Sequence, residues 1–109
     1  MIFADIVYYL SDYQGKVIPH KKYREFAVLA RYCVSNLIVK IEADKIPNAV
    51  KRCSCIVAET LFAYCKENGL SPKNKKQVLA LVKDTPQLEK KIQNTVQLLL
   101  PQQMKNFSK

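Results

Sequence analysis

Four cysteines and one histidine are the residues of this sequence that most often carry nucleophilic, redox or metal chemistry. Cys53 and Cys55 form a Cys-X-Cys pair, but on a helix two residues at this spacing are about 200° apart and point to opposite sides. Zinc sites instead use Cys-X-X-Cys turns or further Cys and His pairs at fixed spacing. We therefore expect no metal, and we expect Cys33, Cys53 and Cys65 to be small apolar core residues in a reducing compartment.

The remaining catalytic residue types are not arranged for catalysis. His20 follows a proline and precedes two lysines, so we expect it to be an exposed residue at the start of a helix. Acidic residues occur singly, without the paired carboxylates or Glu-X-X-His spacing of acid–base and metal sites. Neither GxxxxGK[ST] nor GxGxxG is present. The sequence therefore predicts a protein that is not an enzyme and has no cofactor.

A large excess of basic residues is the main chemical signal. The chain has 18 basic and 9 acidic residues and a net charge of +9. This excess favours contact with nucleic acid, an acidic protein or anionic lipid, although it is equally compatible with a merely solvated surface. Three clusters are suited to neutralise phosphates without reading bases. The candidate contacts to DNA or to an acidic partner are Lys16, Lys21, Lys22, Arg24, Lys51, Arg52, Lys73, Lys75 and Lys76.

These residues must be positioned by helices. The chain has only two glycines, and long stretches rich in Lys, Leu, Ala, Val and Gln favour an all-α fold. We predict a small bundle of four to five helices with two long central helices, a domain over 1–100, and a flexible polar tail over 101–109 that is disordered until it binds a partner. No apolar run approaches the roughly 20 residues of a membrane span, so we expect no membrane contact.

Prolines predict where the helices begin, because proline fits the first helical turn. A first helix over 3–12 is predicted to bury Phe3, Ile6, Val7 and Leu10, and Gly15 is predicted to supply a positive φ after it. The long central helices are predicted over 19–41 and over 47–68.

The last third of the chain is predicted to contain two further helices. Ser71 is the expected N-cap of one of them, and Pro86 is expected to begin the other. Gly69 is expected to end the second central helix. The helical spacing of apolar residues predicts a core that includes Tyr23, Phe26, Ala30, Cys33, Leu37, Val50, Cys53, Val57, Leu61 and Tyr64.

One block contains two Ile-Pro steps, each ahead of a run of helical spacing. It reads YLSDYQGKVIPHKKYREFAVLARYCVSNLI and, after a short link, IPNAVKRCSCIVAETLFAY. This block resembles the head-tail connector proteins of tailed bacteriophages, also called head-completion or adaptor proteins. Members often have a Tyr-containing helix, a YxG turn before an Ile-Pro or Val-Pro step, a long helix, and a further helix begun by Ile-Pro. After Tyr64 the sequence departs from the family, because many connectors continue into an extended arm whereas here a helical pattern continues.

The resemblance implies a subunit that assembles with its own copies into a ring, usually twelvefold, beneath the portal protein. Such a ring extends the channel for the genomic DNA, without sequence specificity, and docks a downstream stopper or tail protein. The implied location is the neck of the virion, after assembly in the host cytoplasm. The candidate portal contacts are Leu98, Leu99, Pro101, Met104, Lys105, Phe107 and Lys109.

A second function remains open from the sequence. A small basic helical protein that binds nucleic acid or acts as a regulator explains the charge equally well. It gives no reason for the paired Ile-Pro steps. A sequence-specific reader would need a short recognition helix after a tight turn, whereas the helices predicted here are long.

Overall fold

The structure is a computed structural model that describes residues 2–106. The described chain is mostly helical and forms the predicted all-α bundle, with no strand beyond a single isolated β-bridge. Two long helices pack mainly against each other, and the second of them also packs against the last long helix. In chain order the elements are a π-helix Tyr8–Asp12, α1 His20–Ser35, α2 Asn48–Asn68, α3 Lys75–Lys83, α4 Pro86–Leu99 and a 3₁₀ turn Gln102–Met104.

Helix α2 is the centre of the bundle, as predicted. Pro47 is its extended N-cap residue, and Gly69 ends it in the left-handed conformation with φ 62°. The Gly69 N–H donates to the carbonyl of Cys65 and closes the last turn. The residues buried along α2 are spread over more than one face: Val50, Cys53, Ser54, Cys55, Val57, Ala58, Leu61, Phe62 and Cys65. A helix buried on several sides must be covered by neighbours, which α1 and α4 provide.

Helix α1 is shorter than predicted. It begins at His20 after Pro19, but it ends at Ser35 rather than near Ile41. The predicted extension over 36–41 is wrong because the apolar residues there pair with a distant segment instead of continuing the helix. Ile38 forms an antiparallel bridge with Lys105. The β-branched side chains of this stretch suit an extended backbone.

The C-terminal segment also differs from the prediction. Residues 101–106 were expected to be disordered until bound, yet they lie across the segment that follows α1. The Val39 N–H donates to the Met104 carbonyl at 2.9 Å, and the Asn106 N–H donates to the Leu37 carbonyl at 2.8 Å. We call residues 101–106 the C-terminal arm.

The helix predicted over 3–12 is instead the π-helix Tyr8–Asp12. Of the four residues predicted to be buried there, Phe3 is buried and Ile6 is partly buried, whereas Val7 is 64% exposed and Leu10 is 38% exposed. Tyr9 is also buried. The wide π-helical turn changes which side chains share a face. Gly15 does not have the predicted positive φ, which belongs to Gln14 at 60°. Glycine is nevertheless required at position 15, because a Cβ there would overlap the Tyr9 ring.

Helices α3 and α4 follow the predicted pattern with one change of cap. Pro86 begins α4, as predicted. Asn74, not Ser71, caps α3: its side chain accepts from the Gln77 N–H at 2.9 Å, and the Gln77 side chain accepts from the Lys73 N–H at 2.6 Å. This reciprocal pair satisfies two backbone donors and explains why the helix begins three residues after Pro72.

The core agrees with the apolar spacing in most positions. Leu37 and Tyr64 are only partly buried and lie at its margin. The other predicted core residues are buried, namely Tyr23, Phe26, Ala30, Cys33, Val50, Cys53, Val57 and Leu61. None of the described helices is long and apolar enough to cross a membrane.

Candidate functional site

The candidate basic residues lie on the surface but do not form one site. Lys51 is partly buried, and its ammonium lies 5.7 Å from the centre of the Tyr8 ring. The Arg52 guanidinium lies 5.5 Å from the centre of the Tyr13 ring. These two cations are therefore held against aromatic faces. The others are exposed: Lys16, Lys21, Lys22, Arg24, Lys73, Lys75 and Lys76.

Two of the predicted contacts meet in a groove between the first turns of α1 and the end of α2. Its volume is about 440 Å³, and Lys22 and Lys73 lie on its wall with Lys66, which the sequence analysis did not single out. Glu25 is also part of its lining, so these charged residues sum to +2. We call this the basic groove.

Aromatic rings lie beneath the cations of the basic groove. Phe26 and Phe62 meet edge to face, with ring centres 5.3 Å apart and planes at 87°. The Lys66 ammonium is 5.9 Å from the centre of the Phe62 ring. Both rings are buried, so they support the groove more than they offer a stacking platform for bases. The groove is suited to bind an anionic backbone or acidic side chains through its lysines.

A tyrosine cluster joins the N-terminal residues to α1 and α2. The Tyr9 hydroxyl donates to one carboxylate oxygen of Glu59 at 2.8 Å, and the Tyr13 hydroxyl donates to the other at 2.8 Å. The Tyr9 hydroxyl also accepts from the N–H groups of Val17 at 3.1 Å and Ile18 at 2.9 Å. One phenol therefore satisfies two backbone donors and a carboxylate in the same place.

Tyr23 completes this cluster from α1. Its ring stacks on Tyr9 with centres 4.5 Å apart. Its hydroxyl donates to the Ala4 carbonyl at 2.7 Å and lies 3.8 Å from the Cys55 sulfur. The tyrosine cluster (Tyr9, Tyr13, Tyr23 and Glu59) thus binds three separate stretches of chain to α2.

Burial keeps the acidic hydrogens of this cluster in place. Desolvation raises the pKa of Tyr9, Tyr13 and Tyr23 above the ordinary tyrosine value. It also raises the pKa of Cys55 to about 11. At neutral pH these groups are a protonated thiol and neutral phenols, and the nucleophilic thiolate is scarcely populated. The arrangement stabilises the fold rather than activating a nucleophile.

The cysteines and the histidine lie where the sequence predicted. All four cysteines are free and buried, and His20 is exposed as the first residue of α1. Cys55 is buried against Tyr23, although it was not among the predicted core residues. Within residues 2–106, no group of three or more His, Cys, Asp and Glu side chains is placed to hold a metal ion.

The predicted portal contacts fall into different environments. Leu98 is 83% exposed, Leu99 is partly buried, and Pro101 is exposed. Met104 and Lys105 are partly buried in the C-terminal arm. Phe107 and Lys109 lie outside the described residues. Among residues 2–106, the most exposed large apolar side chain is therefore that of Leu98.

Comparison with known protein families, with curated proteins and with solved structures finds no match for this chain. Function must therefore be inferred from its own residues and surfaces.

The hydroxyl of Tyr9 should contribute more to stability than any other phenol of the cluster. Tyr9→Phe leaves the buried N–H of Ile18 and the partly buried N–H of Val17 without their acceptor, so we expect the free energy of unfolding to fall by about 2 kcal/mol. Tyr13→Phe removes a single donor to Glu59 and should cost about 1 kcal/mol. Urea denaturation of both variants measures the difference.

Tyr32→Phe is the matched control, because within residues 2–106 the Tyr32 hydroxyl has no hydrogen bond to lose. We expect it to change stability by less than about 0.5 kcal/mol. An equal decrease in the free energy of unfolding for Tyr9→Phe and Tyr32→Phe would contradict the role assigned to the Tyr9 hydroxyl.

Stability should decline in alkaline solution. Burial raises the pKa of Cys33 and of Cys53 from 9.0 to about 12, and it raises that of Tyr9 from 10.0. A group whose pKa is higher in the folded state stabilises the fold below its unfolded pKa and loses that contribution as pH rises. The free energy of unfolding should therefore fall progressively from about pH 9 upwards.

Urea denaturation between pH 7 and pH 11 measures this decline. Cys33→Ala removes one of the titrating thiols, so its stability should fall less steeply above pH 9 than that of the unchanged protein. Parallel pH profiles for the two proteins would show that the buried thiol does not cause the decline.

Proposed function

We propose that the protein is a non-catalytic structural subunit of a phage virion, a head-tail connector that forms a ring under the portal. The observation that carries this proposal is the exposed Leu98 beside an arm that is attached to the bundle by few bonds. Two backbone hydrogen bonds connect the C-terminal arm to residues 37–39. Each contributes only about 1 kcal/mol net, so a partner that also replaces the apolar contact of Met104 with the core can displace the arm.

The surface next to the arm supports docking. Leu98 is 83% exposed at the last turn of α4, and Val39 is 41% exposed where the arm crosses. A complex in which a partner covers exposed apolar side chains of this kind is stabilised by their burial. In the proposed ring, this region faces the portal or the neighbouring copy, and a stopper or tail protein docks on the far side.

The charge supports a place beside the genome. A net charge of +9 attracts phosphates without regard to sequence. In the proposed ring the exposed lysines of α1 and of the 73–76 region line the channel or meet acidic portal surfaces. The proposed location is the neck of the virion.

The basic groove favours a second candidate, a small helical nucleic-acid-binding protein. Lys22, Lys66 and Lys73 converge on one groove, which is suited to contact consecutive phosphates. Three such contacts predict that the logarithm of the DNA affinity falls with the logarithm of salt with a slope of about −3. Steep salt dependence for the isolated protein, without any portal binding, would favour this candidate.

A portal-binding experiment tests the proposal. The protein is sized by light scattering alone and after mixing with a phage portal protein, and the complexes are imaged by negative stain. We expect rings on the portal for the unchanged protein. Leu98→Asp should abolish them, because a carboxylate would be buried in an apolar contact.

Val7→Asp is the matched control, since Val7 is also an exposed apolar residue, 64% exposed, in the N-terminal element. It should assemble like the unchanged protein. A chain that stays monomeric and binds no portal at any concentration would contradict the connector proposal, whereas a monomer in isolation would not.

A further inference from the structure

A cavity of about 590 Å³ lies between the C-terminal half of α1 and the segment 38–43. This volume is in the range of ligand pockets in proteins. Its apolar lining consists of Phe3, Ile38, Val39, Ile41 and Ala43, and its polar lining consists of Arg31, Ser35, Lys40 and Glu42. We call it the edge cavity. It has no residue in common with the basic groove.

Arg31 is the polar residue of the edge cavity whose hydrogen-bonding capacity is not satisfied. Its Nε is buried, and in the part of the chain that the structure describes it has no hydrogen-bond partner. The guanidinium carbon lies 5.8 Å from the centre of the Tyr32 ring, so the cation rests beside an aromatic face. A guanidinium offers planar, paired N–H donors that match a carboxylate. Arg31 lines the cavity, so a carboxylate that enters it lies beside this cation.

The backbone along the cavity offers a second kind of contact. Val39 donates to Met104, and Asn106 donates to Leu37, in the antiparallel pattern around the Ile38–Lys105 bridge. In this pattern the N–H and C=O of the central residue face away from the paired segment. Within residues 2–106, these groups of Ile38 have no backbone partner. An extended peptide can pair with such groups as an added strand.

The net charge of the edge cavity indicates what kind of ligand it can bind. Arg31 and Lys40 are cationic and Glu42 is anionic, so the lining carries one net positive charge. A single carboxylate balances this charge, whereas a doubly charged phosphate would exceed it. The C-terminal arm carries Lys105 and no acidic residue among its described positions, so it does not supply the missing carboxylate.

We infer that the edge cavity is a docking site for an extended peptide segment of a partner protein that places one carboxylate against Arg31 and apolar side chains against Phe3 and Ile41. The segment lies along residues 38–41, on the side opposite the C-terminal arm. Because Ile38 is only 5% exposed, pairing with its backbone requires the segment to displace part of the cover over Ile38. This site does not depend on the connector proposal, because it is a property of the isolated chain.

The test uses two synthetic peptides with blocked ends, acetyl-Ser-Val-Glu-Val-Ser-amide and its counterpart with Gln in place of Glu. Each is titrated into the ¹⁵N-labelled protein and followed by amide chemical shifts, which report both the affinity and the residues contacted. We expect the Glu peptide to shift amides between residues 31 and 43 and to bind about tenfold or more tightly than the Gln peptide.

Arg31→Gln should remove this preference for the Glu peptide and weaken its binding about tenfold. Lys90→Gln is the control, because it removes the same charge from an exposed position of α4, outside every candidate surface, and should bind like the unchanged protein. If Arg31→Gln does not fold, Arg31→Lys keeps the charge but removes the planar, paired N–H donors of the guanidinium, and it should weaken binding several-fold.

Three results would overturn the inference. The first is that neither peptide binds, and the second is equal binding of the two peptides or unchanged binding by the Arg31 variants. The third is a set of shifted amides centred on Lys22, Lys66 and Lys73, which would assign the acidic peptide to the basic groove. None of these results depends on the portal, so failure here is distinguishable from failure of the connector proposal.

Discussion

The arrangement of the N-terminal third of the molecule depends on the hydrogen bonds of one phenol. The Tyr9 hydroxyl accepts from Val17 and Ile18 and donates to Glu59. It thereby connects the π-helix, the turn before α1 and the middle of α2. The backbone before α1 passes close to the Tyr9 ring where its N–H groups reach the hydroxyl. This close approach leaves no room for a side chain at Gly15. The direction in which α1 starts is therefore set by a contact between residues 50 positions apart.

The same contact explains why Glu59 is tolerated in an apolar helix. A partly buried carboxylate without partners would be costly, but Glu59 accepts from two phenols. The polar atoms of the cluster are used within the fold. The proposed interaction surfaces lie elsewhere, at the basic groove, at Leu98 and the C-terminal arm, and at the edge cavity.

The parts of the fold that local sequence determines were predictable. The end of α2 at Gly69 and the start of α4 at Pro86 follow from backbone preferences of single residues, and both were predicted correctly. The end of α1 was not predictable, because the apolar residues between 37 and 41 satisfy helical spacing and an extended pairing equally well. Their partner, the C-terminal arm, is distant in sequence, since the bridge joins Ile38 to Lys105, and local periodicity carries no information about it.

The candidate sites were likewise predictable from the sequence only in part. Composition identified the exposed lysines, but only the packing of α1 against α2 brings Lys66 beside Lys22 and Lys73. Arg31 was not predicted, since an arginine off the apolar stripe of a helix looks like an ordinary surface residue. Glu59 did carry a signal, being the only charge between Cys53 and Cys65. An isolated charge in an apolar helix is a reason to look for distant partners.

Native-state hydrogen exchange of the Ile18 amide tests this view of the fold most directly. If the Tyr9 hydroxyl joins the N-terminal turn to α2, the Ile18 amide opens only when the bundle unfolds. Its exchange should then report the same free energy as core amides of α2 such as that of Val57. Exchange of Ile18 at the rate of an exposed loop, while Val57 stays protected, would contradict the account.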